Sequence, residues 1–447
     1  MDQAMQLWTW WLSLLSPFAL IFTQPGWVRF VQWVTGMVLC WEEHTMTQLL
    51  TSLGLESRWR VLEHFAEYGA WDRDAVERPM LRWLEQERPA RWGPYHPGAI
   101  DDTTLHRTSA MVWGTCTCHE ASARRPNRAE TVRAHTWVVM GDLVPGTPWM
   151  YLPHSARLYW RQNQLPIGET FHTKTAWAAA LLRQAEAESI APILGVFDGA
   201  YAVATVVEPC VNPALAQRRI EMLTRLRVDA RLYQPLAPRA RRKGRRPKWG
   251  ERLAAPQHHV YWSSSWRTGQ AWVYGRIRKF RYKQQRCRWS VSGPHIPVHV
   301  FVVEMPGSRE PWFLVTTALE LSAAQVVEAF AARCRQEDGF RDHQQRLGME
   351  ECRAWTKEPV QRTFQVQMVA LTLLRLLQFR LDQTWGAGNW WHKPEWHPQK
   401  RHASIRDLCR LFWQHRAVFS QLLVSLEDMK KTPQALAQPG NTGSRAA

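Results

Sequence analysis

The chain of 447 residues is too long for one simple domain, since roughly 150 residues per domain predicts two to four units. Its hydrophobic fraction of 45% allows a substantial core, and its charged fraction of 21% excludes a chain that is disordered throughout. Lys and Arg total 57 against 39 acidic residues, which gives a net charge of +18. Such an excess favours a polyanionic partner, with nucleic acid preferred over a membrane surface.

Residues 1–95 predict a helical N-terminal domain. Residues 8–22 are strongly apolar, but Pro17 interrupts them and the run is shorter than the ~20 residues of a membrane span. A buried helical segment is therefore favoured over a membrane anchor or a signal peptide. Thr45 is expected to begin a short helix that places three leucines on one side, Leu49, Leu50 and Leu53. DNA binding and a purely structural role are equally open for this domain.

Residues 96–230 predict the first part of an α/β core. The segments GAIDDTTL, MVWGTCTC and HTWVVMGDLV are typical of β-strands, and TAWAAALLRQAEAE is typical of a helix. APILGVFDGAY predicts a short buried strand that ends at Asp198, and residues 201–228 predict another helix. This order of elements indicates a mixed α/β sheet.

The eight cysteines show no disulfide-like spacing. Only Cys116 and Cys118 are close together, and His119 follows them. A structural zinc site needs about four ligands in clustered pairs, and the sequence has no second pair. We therefore expect free thiols in a reducing cytosol.

Residues 231–300 predict a basic, β-rich region. Seven of the ten residues 239–248 are Arg or Lys. Such a block is either a solvated loop or a nucleic-acid contact, and the interleaved Gly, Pro and Trp favour the contact. The predicted DNA-binding residues of this block are Arg239, Arg241, Arg242, Lys243, Arg245, Arg246 and Lys248. HHVYWSSSW, AWVYGRIRKFRYKQQ and RCRWSVSG then predict strands with mixed basic and aromatic side chains.

Residues 301–350 predict the end of the core. HVFVVEMP and PWFLVTTALEL indicate a hairpin, after which Ser322 is expected to cap a long helix that stops at Gly348. Residues 351–428 predict a C-terminal helical region, interrupted by GAGNWWHKPEWHPQK. Residues 429–447 have the composition of a disordered tail.

Three carboxylates lie at positions where strands or a helix can present them to one site: Asp101, Asp198 and Glu337. The two aspartates follow apolar strands, whose ends are common catalytic positions. Phosphoryl transfer with two metal ions needs several oxygen ligands of this type. Each carboxylate also has an ordinary alternative, since Asp102 with Thr103 and Asp198 with Gly199 are typical of turns and a mid-helix Glu is usually a solvated residue. Their combination, in this order, favours a shared site.

At these positions the chain resembles a known family. IDDTTL, GVFDGAY and FAARCRQEDGFRDHQ are similar to the motifs of the DDE transposases of bacterial insertion sequences. More narrowly, the chain resembles the group whose core carries a β-rich insertion between the second Asp and the Glu. The resemblance covers about residues 30–428. It implies a ribonuclease-H-like α/β core with catalytic, metal-binding Asp101, Asp198 and Glu337, and Asp102 is a less favoured first aspartate.

The family's third motif is Tyr, two residues, Arg, three residues, Glu, six residues, Lys. Here its positions hold Phe330, Arg333, Glu337 and Gln344, so that the Arg and Glu match. The resemblance implies that Arg333 orients the carboxylate or binds phosphate and that Gln344 contacts DNA. Arg341 or Arg346 is expected to supply the charge that Gln344 lacks.

The resemblance also implies a reaction and its partners. It predicts two Mg²⁺ or Mn²⁺ ions, cleavage at transposon ends, and attack of the freed 3′-hydroxyl on target DNA. It further predicts a homodimer on paired DNA ends, a cytoplasmic, nucleoid-associated location in a bacterium, and no membrane association. An inactive or domesticated DNA-binding derivative of a transposase is the alternative.

Overall fold

The structure is a computed structural model that describes residues 2–87, 92–119, 131–146, 148–210, 220–236 and 247–428. Helices lie at both ends of the chain and flank a large mixed sheet. The helices are α1 (Gln3–Leu15), α2 (Gln24–Leu39), α3 (Met46–Leu53), α4 (Trp59–Tyr68), α5 (Arg73–Glu87), α6 (Lys174–Glu188), α7 (Ala204–Cys210), α8 (Ala323–Ala332), α9 (Cys334–Arg346), α10 (Lys357–Leu381), α11 (Ile405–Gln414) and α12 (Arg416–Asp428). The predicted α/β class with helical N- and C-terminal regions is confirmed.

The described strands form one sheet. They are β1 (His96–His106), β2 (Cys116–His119), β3 (Thr131–Val144), β4 (Met150–Tyr159), β5 (Ile193–Phe197), β6 (Ile220–Arg225), β7 (Leu232–Tyr233), β8 (Arg267–Val273), β9 (Arg276–Trp289), β10 (Pro297–Glu304) and β11 (Trp312–Thr316). Their order is β2-β3-β1-β5-β6-β11-β10-β9-β7, with β4 beside β3 and β8 beside β9. Strands β1, β5 and β6 are parallel, and the other pairs are antiparallel.

Helices cover both faces of this sheet, which explains why β5 is buried on both sides. On one face Ile100 and Phe197 pack with α6 and the start of α7. On the other face Ala99 and Val196 pack in the same cluster as α8. Alternate residues of each central strand therefore point to different helical layers, and this alternation decides where every polar side chain at the strand ends points.

The N-terminal and C-terminal helices pack into one helical body. Trp11 of α1 contacts Phe412 of α11 edge-on at 5.0 Å between ring centroids, and its indole N–H donates to the Thr35 hydroxyl at 3.0 Å. One described helical stretch, Gln3–Ile21, has the length and composition of a membrane span. In the structure, 44% of its most apolar part is buried within the protein. Most of its large side chains, Trp8, Trp11 and Phe18 among them, belong to the core that joins α1 and α2 to α10–α12.

Several local predictions are confirmed by the structure. Thr45 caps α3, whose three leucines are buried. Ser322 and Gln325 form a capping box at the start of α8. The chain leaves α9 at Leu347, and Gly348 has the positive φ of 61° that favours glycine.

Other local predictions are wrong. Residues 220–225 form β6, because pairing with β5 and β11 overrides the helix propensity of IEMLTR. HHVYWSSSW contains a short 3₁₀ turn, Pro256–Tyr261, where a strand was expected. Within MVWGTCTC only the end is a strand, Cys116–His119. The long helix divides into α8 and α9 at Arg333, where the Gln336 N–H donates to the Arg333 carbonyl three residues back.

The β-rich region between the second aspartate and Glu337 extends the core sheet. Strands β7, β9, β10 and β11 continue it beyond β6, and β10 (Pro297–Glu304) spans the boundary expected at residue 300. The division into domains stays a prediction. Residues 237–246 and the tail from 429 lie outside the described residues, so the structure says nothing of the predicted contacts Arg239, Arg241, Arg242, Lys243, Arg245 and Arg246 or of disorder in the tail.

Candidate active site

Two aspartates meet at the carboxyl ends of neighbouring parallel strands. The last paired residues of β1 and β5 are Ile100 and Phe197, and the next residues along the two strands are Asp101 and Asp198. Asp198 is the first residue after β5, where its Oδ1 accepts from the Gly199 N–H at 2.7 Å. The Thr224 hydroxyl of β6 donates to the Asp198 carbonyl at 3.2 Å. The sheet register therefore brings together the two residues that the sequence motifs singled out.

Asp101 and its neighbour Asp102 point to opposite faces of the sheet. Lys174 Nζ, at the start of α6, donates to Asp102 Oδ2 at 2.6 Å, and the Tyr201 hydroxyl donates to Asp102 Oδ1 at 2.8 Å. Burial and then the Asp102 charge raise the pKa of Tyr201. Asp102 is thus held by its own partners on the α6 face, and Asp101 faces α9.

Helix α9 is fixed against the sheet directly beneath Glu337. The buried Gln336 amide donates to the Val139 carbonyl and to the Tyr151 hydroxyl, each at 3.1 Å. A Cβ on Gly339 would lie 2.5 Å from Tyr151 Cδ1, so only glycine lets α9 approach β4 this closely. These contacts decide the height and rotation of the turn that carries Glu337.

Arg333 joins two of the predicted catalytic carboxylates. Its Nη1 donates to Asp101 Oδ2 at 3.0 Å, and its Nη2 donates to Glu337 Oε1 at 3.1 Å. The side chain of Glu337 is 60% exposed and that of Asp101 is 25% exposed, so the site opens to solvent on the Glu337 side. One guanidinium therefore spans residues that are far apart along the chain.

The ionised form of Asp101 is disfavoured in this site. Burial raises the pKa of Asp101 to about 6, and the nearby charges of Asp102 and Asp198 act in the same direction. The Asp102 N–H and the Arg333 guanidinium oppose this rise. A carboxylate whose ionised form is disfavoured in this way gains from a bound cation.

The donor set fits hard divalent cations. Asp101 and Asp198 supply adjacent carboxylate oxygens, which Mg²⁺ and Mn²⁺ prefer, and Glu337 supplies a third from α9. Among the described residues, no three acidic, His or Cys side chains are close enough to hold an ion as they stand. Arg333 occupies oxygens of Asp101 and Glu337, so holding a metal requires these side chains to rearrange around it.

Most of the other predicted DNA contacts among the described residues have partners outside the three carboxylates. Gln344 Nε2 lies 3.5 Å from Glu350 Oε1, and Arg341 Nη2 donates to Asp338 Oδ1 at 2.6 Å. Arg346 forms the last turn of α9. Lys248 Nζ lies 5.9 Å from the centroid of the Trp249 ring. Their contact with DNA stays a prediction.

The β8–β9 turn, which no sequence motif singled out, lies near this site. Tyr274 of this turn contacts Trp312 with ring centroids 6.3 Å apart, and Trp312 in turn contacts Phe330 of α8. Burial raises the pKa of Tyr274, and the charges of Arg333 and Glu337 also act on its hydroxyl. Tyr274 and Gly275 both have positive φ, which is typical of a two-residue hairpin turn. The β-rich region is thus directed toward the carboxylates.

A comparison with known protein families identifies the fold around this site. The family model described as DDE superfamily endonuclease matches residues 19–289, which is more than half of the chain. The chain belongs to the DDE superfamily endonucleases. No match was found among curated proteins. The predicted ribonuclease-H-like core is confirmed by this match together with the mixed sheet.

Membership of the DDE superfamily endonucleases indicates a nuclease- or transposase-type activity on DNA. Superfamily members of this type use divalent metals, in agreement with the oxygen donors at this site. The matched segment contains Asp101 and Asp198 and ends before Glu337. The assignment of Glu337 therefore rests on its motif and on its bridge to Asp101 through Arg333.

Proposed function

We propose that this DDE superfamily endonuclease is a transposase. It cleaves DNA strands at transposon ends and joins the freed 3′-hydroxyl to target DNA, with Asp101, Asp198 and Glu337 as its metal-binding residues. The observation that carries this proposal is the convergence on one face of the sheet: Asp101 and Asp198 follow paired residues of parallel strands, and Arg333 connects Asp101 to Glu337.

The residues of the chain supply position and charge. Rigid parallel strands hold the two aspartates, and Gln336 and Gly339 hold the helix that carries Glu337. When bound, the two cations activate the attacking water or 3′-hydroxyl and stabilise the leaving oxygen. Arg333 keeps Asp101 and Glu337 near each other in the metal-free protein, and its guanidinium has the geometry to bind a phosphate oxygen of the DNA.

Transposon-end DNA, target DNA and a second copy of the chain are the partners that this proposal requires. The positive charge of +18 supports the two DNA partners. A homodimer on paired ends, a nucleoid-associated location and membership of the group with a β-rich insertion stay predictions. An inactive derivative that only binds DNA is the alternative, and the replacement of the motif Tyr and Lys by Phe330 and Gln344 favours it.

The test is cleavage of the DNA that flanks the coding sequence. The full-length protein is incubated with labelled duplexes of these flanks and Mg²⁺ or Mn²⁺, and single-strand breaks are mapped. We expect metal-dependent breaks at fixed positions, with joining to a supercoiled plasmid. Asp198→Asn should abolish both products, and Asp229→Asn, in an exposed turn where it pairs with Arg227, should abolish neither. Equal inactivity of the wild type and Asp198→Asn with both metals would reject the transposase and leave the DNA-binding derivative.

A further inference from the structure

Two arginines outside every motif lie on the same face of the sheet as the carboxylates. Arg225 ends β6, and Arg278 lies in β9. Among the residues that the structure describes, neither side chain has a carboxylate partner or a hydrogen bond, whereas Arg333 and Arg341 are paired with acids. Cationic side chains without an internal partner beside a DNA-cutting site are candidates for binding phosphates.

Sheet register places Arg225 next to Asp198. The last paired residues of β5 and β6 are Phe197 and Thr224, so Asp198 and Arg225 are the next residues on the two strands. Arg225 pairs with Leu314 of the neighbouring strand β11, and Leu314 is buried on the face that α8 covers. The Arg225 side chain therefore starts on that same face. A Cβ on Gly199 would lie 3.8 Å from Arg225 Cβ, so the two strand ends are in contact. Asp101, Asp198 and Arg225 thus follow one another across three parallel strands.

Arg278 approaches from the β8–β9 hairpin. It pairs with Ala271, which packs in the same cluster as α8, so its side chain starts on the catalytic face. Its Nε is buried and has no hydrogen-bond partner among the described residues, which is costly unless a ligand supplies one. The charge of Arg278 acts on Tyr274, as do the charges of Arg333 and Glu337, so Arg278 belongs to the hairpin end that lies near the carboxylates.

We propose that Arg225 and Arg278 bind phosphates of the DNA strand that is cut. Arg225 holds the strand beside Asp198, and Arg278 holds it at the β8–β9 hairpin. A guanidinium suits this task, because its planar donors match phosphate oxygens and it stays charged at all working pH values. The inference deepens the proposed function and rests on it for the position of the cut.

The experiment measures DNA binding as a function of salt. Full-length wild type, Arg225→Ala, Arg278→Ala and the two Lys variants are titrated with a fluorescent duplex of the flanking DNA in EDTA, which prevents cleavage. Each phosphate contact contributes about 0.9 to the slope of log K against log salt. We expect each Ala variant to lower the slope by about one and to bind roughly five- to tenfold more weakly at 0.1 M salt. The Lys variants should keep the slope, because they keep the charge.

Matched controls come from neighbouring arginines that already have partners. Arg227→Ala removes a guanidinium that pairs with Asp229, and Arg281→Ala removes one that pairs with Glu304 from the opposite face of β9. Both should keep the wild-type slope. Wild-type slopes in Arg225→Ala and Arg278→Ala, with thermal unfolding midpoints that show intact folding, would overturn the inference.

Cleavage of the same duplex separates this inference from the proposed function. If the wild type cleaves and both Ala variants keep its slope and rate, the transposase stands and the arginine inference is wrong. If the wild type does not cleave but both Ala variants have a smaller slope of log K against log salt, the two arginines bind phosphate and the catalytic proposal is wrong.

Discussion

At the end of β1, two neighbouring aspartates point to opposite faces of the sheet and have different hydrogen-bond partners there. Asp102 has a lysine and a tyrosine donating to it on the α6 face. Asp101, one residue earlier, faces α9, where it has one arginine shared with Glu337 and lies near the charges of Asp102 and Asp198. Residue type alone therefore does not make a site: a carboxylate with two donors has its charge satisfied within the fold, and a buried carboxylate with a raised pKa gains from a bound cation.

The largest effect expected from this comparison is on catalysis. Asp101→Asn should lower the rate of metal-dependent cleavage by about three orders of magnitude or more, because it removes a metal ligand. Asp102→Asn should lower it by less than about tenfold, since that side chain faces away from α9. Single-turnover cleavage of the flanking DNA measures both. Equal losses of cleavage in the two variants would show that Asp102 is as important for catalysis as Asp101, which contradicts our assignment.

The next effect concerns the placement of α9. Gly339→Ala introduces a Cβ 2.5 Å from Tyr151 Cδ1 and should move the turn that carries Glu337. We expect cleavage to fall by roughly 10- to 100-fold, since a shift of about 1 Å is enough for such a loss. Stability should fall by about 1–3 kcal/mol. Cleavage at the wild-type rate would show that the close approach of α9 to β4 does not determine the position of Glu337.

A third prediction concerns stability without metal. Burial raises the pKa of Asp101 from its ordinary value of 3.8 to about 6 in the folded protein. The protonated carboxyl therefore favours the folded state below a pH of about 3.8, and this stabilisation is lost as the pH rises through about 6. Asp101→Asn should therefore stabilise the metal-free protein by about 1–3 kcal/mol at pH 7.5 and by much less at pH 4. Thermal unfolding in EDTA at the two pH values measures the difference, and a destabilised variant at pH 7.5 would contradict it.

The smallest effect is expected on the opposite face. Lys174→Met removes a partner of Asp102, and because the Lys174 side chain is 37% exposed the loss should be about 1 kcal/mol or less. Cleavage should stay within about threefold of wild type. Chemical denaturation and the cleavage assay together test this. A loss of cleavage as large as that of Asp101→Asn would place Lys174 in the catalytic site.

The sequence allowed the elements with local signals to be predicted. The strand that ends at Asp198, the leucine face of α3 and the Ser322 cap each depend on residues a few positions apart. Strand β6 could not be predicted, because its pairing with β5 and β11 outweighs the propensity of IEMLTR for helix.

The same limit applied to the candidate site. The motifs located Asp101, Asp198 and Glu337, and they predicted that Arg333 lies one helical turn before Glu337. They did not show that Arg333 also binds Asp101, or that Tyr274 of the hairpin packs against Trp312, because both contacts depend on how distant elements pack. Asp102 was left as an alternative for the same reason, since its partners come from α6 and from the turn after β5.

The most direct test of the metal site is anomalous scattering from crystals of the protein grown with Mn²⁺ and uncleavable DNA. We expect metal peaks between Asp101 and Asp198, with Glu337 as a further ligand and Arg333 released from at least one carboxylate. Peaks at Asp102, or ordered DNA phosphates with no metal at Asp101 and Asp198, would contradict it.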